Sequence, residues 1–236
     1  MWKNTRRWHW WLSILIGAQV LIWSLSGAYM VLTDIHFIRG QHLTKPLSPI
    51  ELTPKHIGYG FQQVFTDYPE ATDVQLNLTT QPPQIQFNTG QQIINVSIID
   101  GKVLPRLTAE DISALAHAHY AEKASIKNIQ LLEQAPSEIS ARHAPIWQVT
   151  FNDTANTTFY FNEETHQLVI KRHDFWRVFD FLWRLHIMDY WQGENIHTPW
   201  LTATSIFTLF MSLLGLLLIY PWLRHSFFSL KTIKRK

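Results

Sequence analysis

Two stretches without a single Asp, Glu, Lys or Arg bracket this chain, and they constrain it more than anything between them. The first, WHWWLSILIGAQVLIWSLSGAYMVLT, runs from Trp8 to Thr33; the second, PWLTATSIFTLFMSLLGLLLIYPWL, runs from Pro199 to Leu223. A helix of about twenty apolar residues crosses a bilayer core, and backbone in hydrocarbon must satisfy its own hydrogen bonds. Residues 8–33 and 199–223 are therefore expected to be transmembrane helices. Lys3, Arg6 and Arg7 precede the first, and Arg224, Lys231, Lys234, Arg235 and Lys236 follow the second. Positive residues mark the cytoplasmic side, which places the tails 1–7 and 224–236 in the cytoplasm and residues 34–197 outside, in the periplasm. A cleaved signal peptide also opens on positive residues and an apolar run; the length and tryptophan content of this run argue for a retained span.

Charge placement supports the division. All 18 acidic residues lie between Asp34 and Glu194. Eight of the 20 Lys and Arg residues sit in the flanks with no acid beside them, so the middle is mildly acidic and is not expected to bind nucleic acid. Cysteine is absent, which removes disulfides, iron–sulfur clusters and covalent c-type haem attachment. Histidine, carboxylate and tyrosine are left as available metal ligands, and the twelve histidines exceed ordinary usage.

Within the first span, His9, Ser13, Gly17, Val20, Ser24 and Gly27 recur every three or four residues and share a face. Such a seam admits another backbone or a flat cofactor. His9, among Trp8, Trp10 and Trp11, suits an interfacial aromatic belt as well as an intramembrane site.

The middle opens with a proline-punctuated connector, residues 34–50, carrying His36 and His42, and then repeats itself. LTPKHIGYGFQQVF from Leu52 and LTAEDISALAHAHY from Leu107 each begin with a threonine suited to cap a helix. Pro54 fits the first helical position, and Thr108 with Asp111 approximates a capping box. DVQLNL, PPQIQFN and QIINVSIIDGKVL follow the first helix; NIQLLE, APIWQVTFN and TTFYFNEETHQLVI follow the second. Alternation at Ile85 and Phe87, and at Trp147, Val149 and Phe151, predicts strands with one face buried, with IDGKV and NEETHQ as turns. The expected fold is α+β: two helix-plus-antiparallel-sheet modules, residues 51–106 and 107–173, each of about 60 residues and marginal alone. Neither contains a phosphate loop, a GxSxG elbow or HExxH. His117 and His119, two apart on a helix, face different ways.

The modules connect to the second span through DFWRVFDFLWRLHIMDYW, expected as an amphipathic helix over residues 174–192. At about 100° per residue, Arg177, Asp180 and Arg184 share one side, and Asp180 and Arg184 suit a solvated i,i+4 pair. His186 falls opposite, among Phe175, Phe179, Leu182 and Tyr190. A histidine there is either a hydrogen-bonded core residue or a ligand to a metal or haem.

With these residues in view, the chain resembles the PepSY domain-containing membrane proteins. RRWHWWLSILIG is similar to the "HRWLG" opening of PepSY-associated transmembrane helices, WSLSGAYM to their "LTG" continuation, and FLWRLHIMDYW to their second histidine motif. The duplicated module, closed in its first copy by IDGKV, resembles the PepSY unit. Larger relatives of this kind are haem-containing membrane reductases, ferric-siderophore reductases among them. The resemblance implies His9 and His186 as iron ligands of haem b and His42 as a third motif position, with His36, His197 and His225 in reserve. Arg177 and Arg184 would be available to haem propionates or to solvent. The second imidazole nitrogen of a ligand wants an oriented acceptor, for which Asp189 or a backbone carbonyl would serve. Two spans in place of about four imply a homodimer or partner completing the ligand set. Three functions stay open: a redox subunit fed by a separate flavoprotein or other donor, a membrane-anchored module docking on an envelope protein or peptidase, and a structural subunit.

Overall fold

The computed structural model describes residues 2–48, 51–53, 57–78, 80, 83–191, 193 and 195–233, with side chains described between Trp10 and Leu216 and at Tyr220. Two compact units make up the chain: residues 1–34 with 178–236, and residues 35–177. It is an α+β chain with two antiparallel sheets.

The first unit holds two long helices, α1 (Trp2–Leu32) and α6 (Pro199–Ile233). Trp10–Leu32 and Pro199–Leu216 are long and apolar enough to cross a membrane, and almost none of either stretch is buried within the chain. Thr198 caps α6, its Oγ1 accepting from the Leu201 amide at 3.2 Å.

In the second unit, a single turn, α2 (Ile35–Ile38), leads to a 3-10 turn at Gln41–Leu43. The first module then supplies α3 (Phe61–Asp67) and strands β1 (Thr72–Asn77), β2 (Gln84–Asn88) and β3 (Ile93–Ser97), ordered β1-β2-β3. Val64, Ile85, Phe87, Val96 and Ile98 form its core. The second supplies α4 (Ala109–His119) and strands β4 (Ile126–Leu132), β5 (Ile146–Phe151), β6 (Thr158–Asn162) and β7 (Leu168–Arg172), paired in sequence order. Ile112, Ala116, Tyr120, Val149, Phe151, Phe159 and Phe161 form the second core, with Leu43 of the connector. The capping box forms: the Asp111 amide donates to Thr108 Oγ1 at 3.3 Å, and the Thr108 amide to Asp111 Oδ2 at 2.8 Å.

The repeats differ where the sequences suggest a match. The first module's described helix begins at Phe61, well after Thr53; Pro54 lies outside the described residues. The reason is a contact with the end of the sheet. The Gly58 and Tyr59 amides both donate to the Ile98 carbonyl at 2.9 Å, and a Cβ on Gly58 would meet Ile99 O at 2.1 Å. The chain is pinned to the sheet there, and the helix starts at Gly60, whose amide donates to Gln63 Oε1. The strand expected after IDGKV shrinks to one bridge, Val96 to Val103. Strand β2 is buried on both faces: Ile85 and Phe87 on the core side, Gln84 and Gln86 on the other.

Helix α5 (Asp174–Ile187) follows β7 and stops before residue 192. Met188 takes a left-handed φ of 54°, and the Asp189 amide turns back to the Arg184 carbonyl at 3.2 Å.

Candidate functional site

His186 lies in the membrane unit, in the last turn of α5, and α1 holds it twice. Trp23 Nε1 donates to the His186 carbonyl at 2.8 Å, one of the carbonyls that a helix end leaves without an internal partner. Ser26 Oγ, fully buried, lies 2.8 Å from His186 Nδ1. The direction of that bond follows from proton counting. A hydroxyl has one proton, and Ser26 Oγ sits 2.7 Å from the Ile22 carbonyl, four residues back, which can only accept. With the serine proton there, Nδ1–H must donate to Oγ, so that in the neutral ring Nε2 is the nitrogen available to a ligand. Among the described residues Nε2 has no hydrogen-bond partner. Gly27 borders the ring: a Cβ added there would lie in ordinary contact with His186 Cε1, at 3.6 Å.

Sequence reasoning found the histidine and missed its partner. Asp189 does not orient His186; it is buried and accepts from the Asn195 amide at 3.0 Å. The signal in the sequence was Trp23, Ser26 and Gly27 at i, i+3 and i+4, a stripe that meets the small-residue seam at Gly27. Elsewhere on that seam Gly17 borders open space.

His42 belongs to the other unit. It is exposed and stacks on Phe37, ring centroids 4.5 Å apart at 14°, and stands edge-on to His173 at 5.6 Å. His173, which was not singled out from the sequence, is fully buried, with Nε2 3.1 and 3.0 Å from the Phe37 and Ile38 carbonyls. Two carbonyls can only accept, so Nε2 carries the proton. Burial holds this imidazole below its ordinary value, outweighing the two carbonyl bonds that favour the charged form. His36 and His197 are exposed. The side chains of His9 and His225 lie outside the described residues, as does any site they form.

The two arginines are ion-paired within the chain and only partly exposed. Arg177 pairs with Glu138 and Asp174, both at 3.0 Å, and donates to Thr158 Oγ1 and the Asn156 carbonyl. Glu138 in turn accepts from the Tyr160 hydroxyl, which takes a bond from Gln148 Nε2 at 2.7 Å. Burial and the Glu138 carboxylate raise the Tyr160 phenol well above its usual range. Arg184 pairs with Asp180 at 2.8 Å, as the i,i+4 spacing predicts.

No curated protein and no solved structure matches the chain. A family model, the PepSY-associated TM region, matches residues 6–236, a span that includes both apolar helices, both sheet modules and the His186 clasp. This chain belongs to the family of the PepSY-associated transmembrane region, and it is a membrane protein.

Proposed function

We propose that the chain is a haem b-binding redox subunit of the bacterial inner membrane, passing electrons to an acceptor outside. The observation that supports it most is the setting of His186, whose Nδ1–H is committed to a buried hydroxyl, so that its neutral tautomer offers Nε2. That is the donor a haem iron requires, and its second nitrogen has the oriented partner that ligating histidines use. A bound b-type haem supplies a one-electron iron couple. The chain's own residues do the rest: Ser26 sets the tautomer and Trp23 fixes the backbone.

On this reading His9 is the counterpart ligand near the cytoplasmic face, His42 a third position, and His36, His197 and His225 reserves. A second copy or a partner completes the set. Both termini face the cytoplasm, and residues 34–197 face the periplasm. The chain has no nucleotide-binding fingerprint, so a separate flavoprotein supplies the electrons. Arg177, tied to Glu138, Asp174, Thr158 and Asn156, is the poorer propionate partner; Arg184, paired through Nε with Asp180, keeps donors for one. A ferric-reductase activity rests on analogy with larger relatives.

The test is the visible spectrum of the full chain purified from haem-replete cells. A Soret band that shifts on dithionite reduction, and that is lost in His186→Ala but kept in His117→Ala, is expected. A colourless wild type would favour the second reading, a membrane-anchored module docking on an envelope protein or peptidase, which the open cleft between the sheet modules supports.

A further inference from the structure

The two sheet modules meet along a cleft that the redox reading leaves unused. One lobe, about 590 Å³, is walled by Leu47, Leu104, Pro105, Leu107 and Leu115. The other, about 550 Å³, shares Leu47, Leu115 and His166 with the first and adds Lys45, Thr44 and His119. Lobes of this size suit small molecules.

Charge in the second lobe is one-sided. Lys45 lines it, and half-buried Lys171, not itself a lining residue, places Nζ 3.4 Å from Oγ1 of the lining Thr44. Among the described residues no carboxylate pairs with Lys171 or Lys45. The acids nearby are spent: Asp111 caps α4 through Thr108, and Glu163 pairs with Arg106 at 3.0 Å. A half-buried ammonium without a counter-ion is costly, and burial holds that of Lys171 below its ordinary value.

His166 points to the same place. Its backbone is left-handed, φ 61°, a conformation that a non-glycine residue keeps only where its surroundings fix it. They do: Asn162 Oδ1 accepts from the Glu164 and Thr165 amides at 3.0 and 2.7 Å, and the Glu164 carbonyl accepts from Asn95 of the other module. The turn thereby sets a buried imidazole on the cleft, and neither it nor His119 hydrogen-bonds a described side chain. Arg106, the arginine on the lining, gives Nη1 to Glu163 at 3.0 Å and lies largely in solvent, so it offers no buried fork of the kind that favours phosphate.

We propose that this cleft binds a small amphiphilic carboxylate, its anionic end beside Lys171 and Lys45 with His119 and His166 as hydrogen-bond partners, and its apolar body against the leucines of the first lobe. The test uses the full chain in lipid nanodiscs, titrated calorimetrically with 4-phenylbutyrate and with its neutral amide, empty nanodiscs serving as the blank. Saturable binding of the acid is expected, with the amide at least tenfold weaker. Lys171→Gln should weaken the acid at least tenfold and leave the amide unchanged. Leu115→Trp, which fills both lobes, should abolish binding of either. Equal affinity for acid and amide in the wild type, which needs no variant to fold, would overturn the proposal. So would heat that empty nanodiscs reproduce.

Discussion

His186 and His173 use the same side chain in opposite senses. His173 gives its Nε2 proton to two backbone carbonyls and is buried as part of a core; His186 gives its Nδ1 proton to one serine and keeps Nε2 open. The apolar face on which His186 sits was legible from periodicity. Its tautomer was not, because that depends on a hydroxyl 160 residues away. Ser26→Ala removes the acceptor of Nδ1–H: haem affinity should fall by about tenfold and stability by about 1 kcal/mol. Ser26→Thr, which keeps the hydroxyl, should recover both; haem titration and thermal melts measure them. Three imidazoles of the second unit, His119, His166 and His173, have folded values lowered chiefly by burial from an ordinary 6.5. Below 6.5 the unfolded chain takes up protons that the folded one refuses, so the stability they contribute is present above that pH and is lost as pH falls through it. Melting temperature should therefore drop between pH 7.5 and 5, with a smaller slope in His173→Gln.

At the level of elements, patterns that depend on neighbours in sequence were readable and those that depend on distant contacts were not. Thr108 and Asp111 lie in one turn, and their reciprocal cap forms as spacing requires; Thr108→Ala should cost about 1 kcal/mol in a denaturant titration. The late start of α3 depends on Gly58 lying against Ile99, some forty residues on, which periodicity does not encode. Arg177 is similar. On a helical wheel it belongs to a polar stripe, whereas in the fold it ties the first turn of α5 to Glu138 and, through it, to Tyr160. Arg177→Met leaves a largely buried Glu138 carboxylate without its partner and should destabilise by about 2 kcal/mol, between the usual costs of exposed and buried pairs. Arg177→Lys should not recover the loss, because its compact ammonium cannot span Glu138, Asp174 and Thr158 together.

Across the whole molecule, the duplication and the two spans were visible because each repeats a local pattern of hydrophobicity. How the modules are joined was not visible. Gln84 and Gln86 read as solvent-facing residues of a half-buried strand, yet they are buried, with Gln86 Nε2 3.1 Å from Asn95 Oδ1, and Asn95 Nδ2 reaches the Glu164 carbonyl of the second module at 2.6 Å. An amide cluster therefore replaces the polar face. Asn95→Ala leaves that carbonyl and two amides unpaired and should cost about 1–3 kcal/mol, with hydrogen exchange quickening first at the 163–166 turn. The redox reading itself depends on one bond, from His186 Nε2 to haem iron. Low-temperature electron paramagnetic resonance of the oxidised full chain tests it most directly. A low-spin ferric signal with imidazole ligation is predicted, lost or converted to high spin in His186→Ala. A signal unchanged by that substitution, or no ferric haem signal from haem-replete cells, would contradict it.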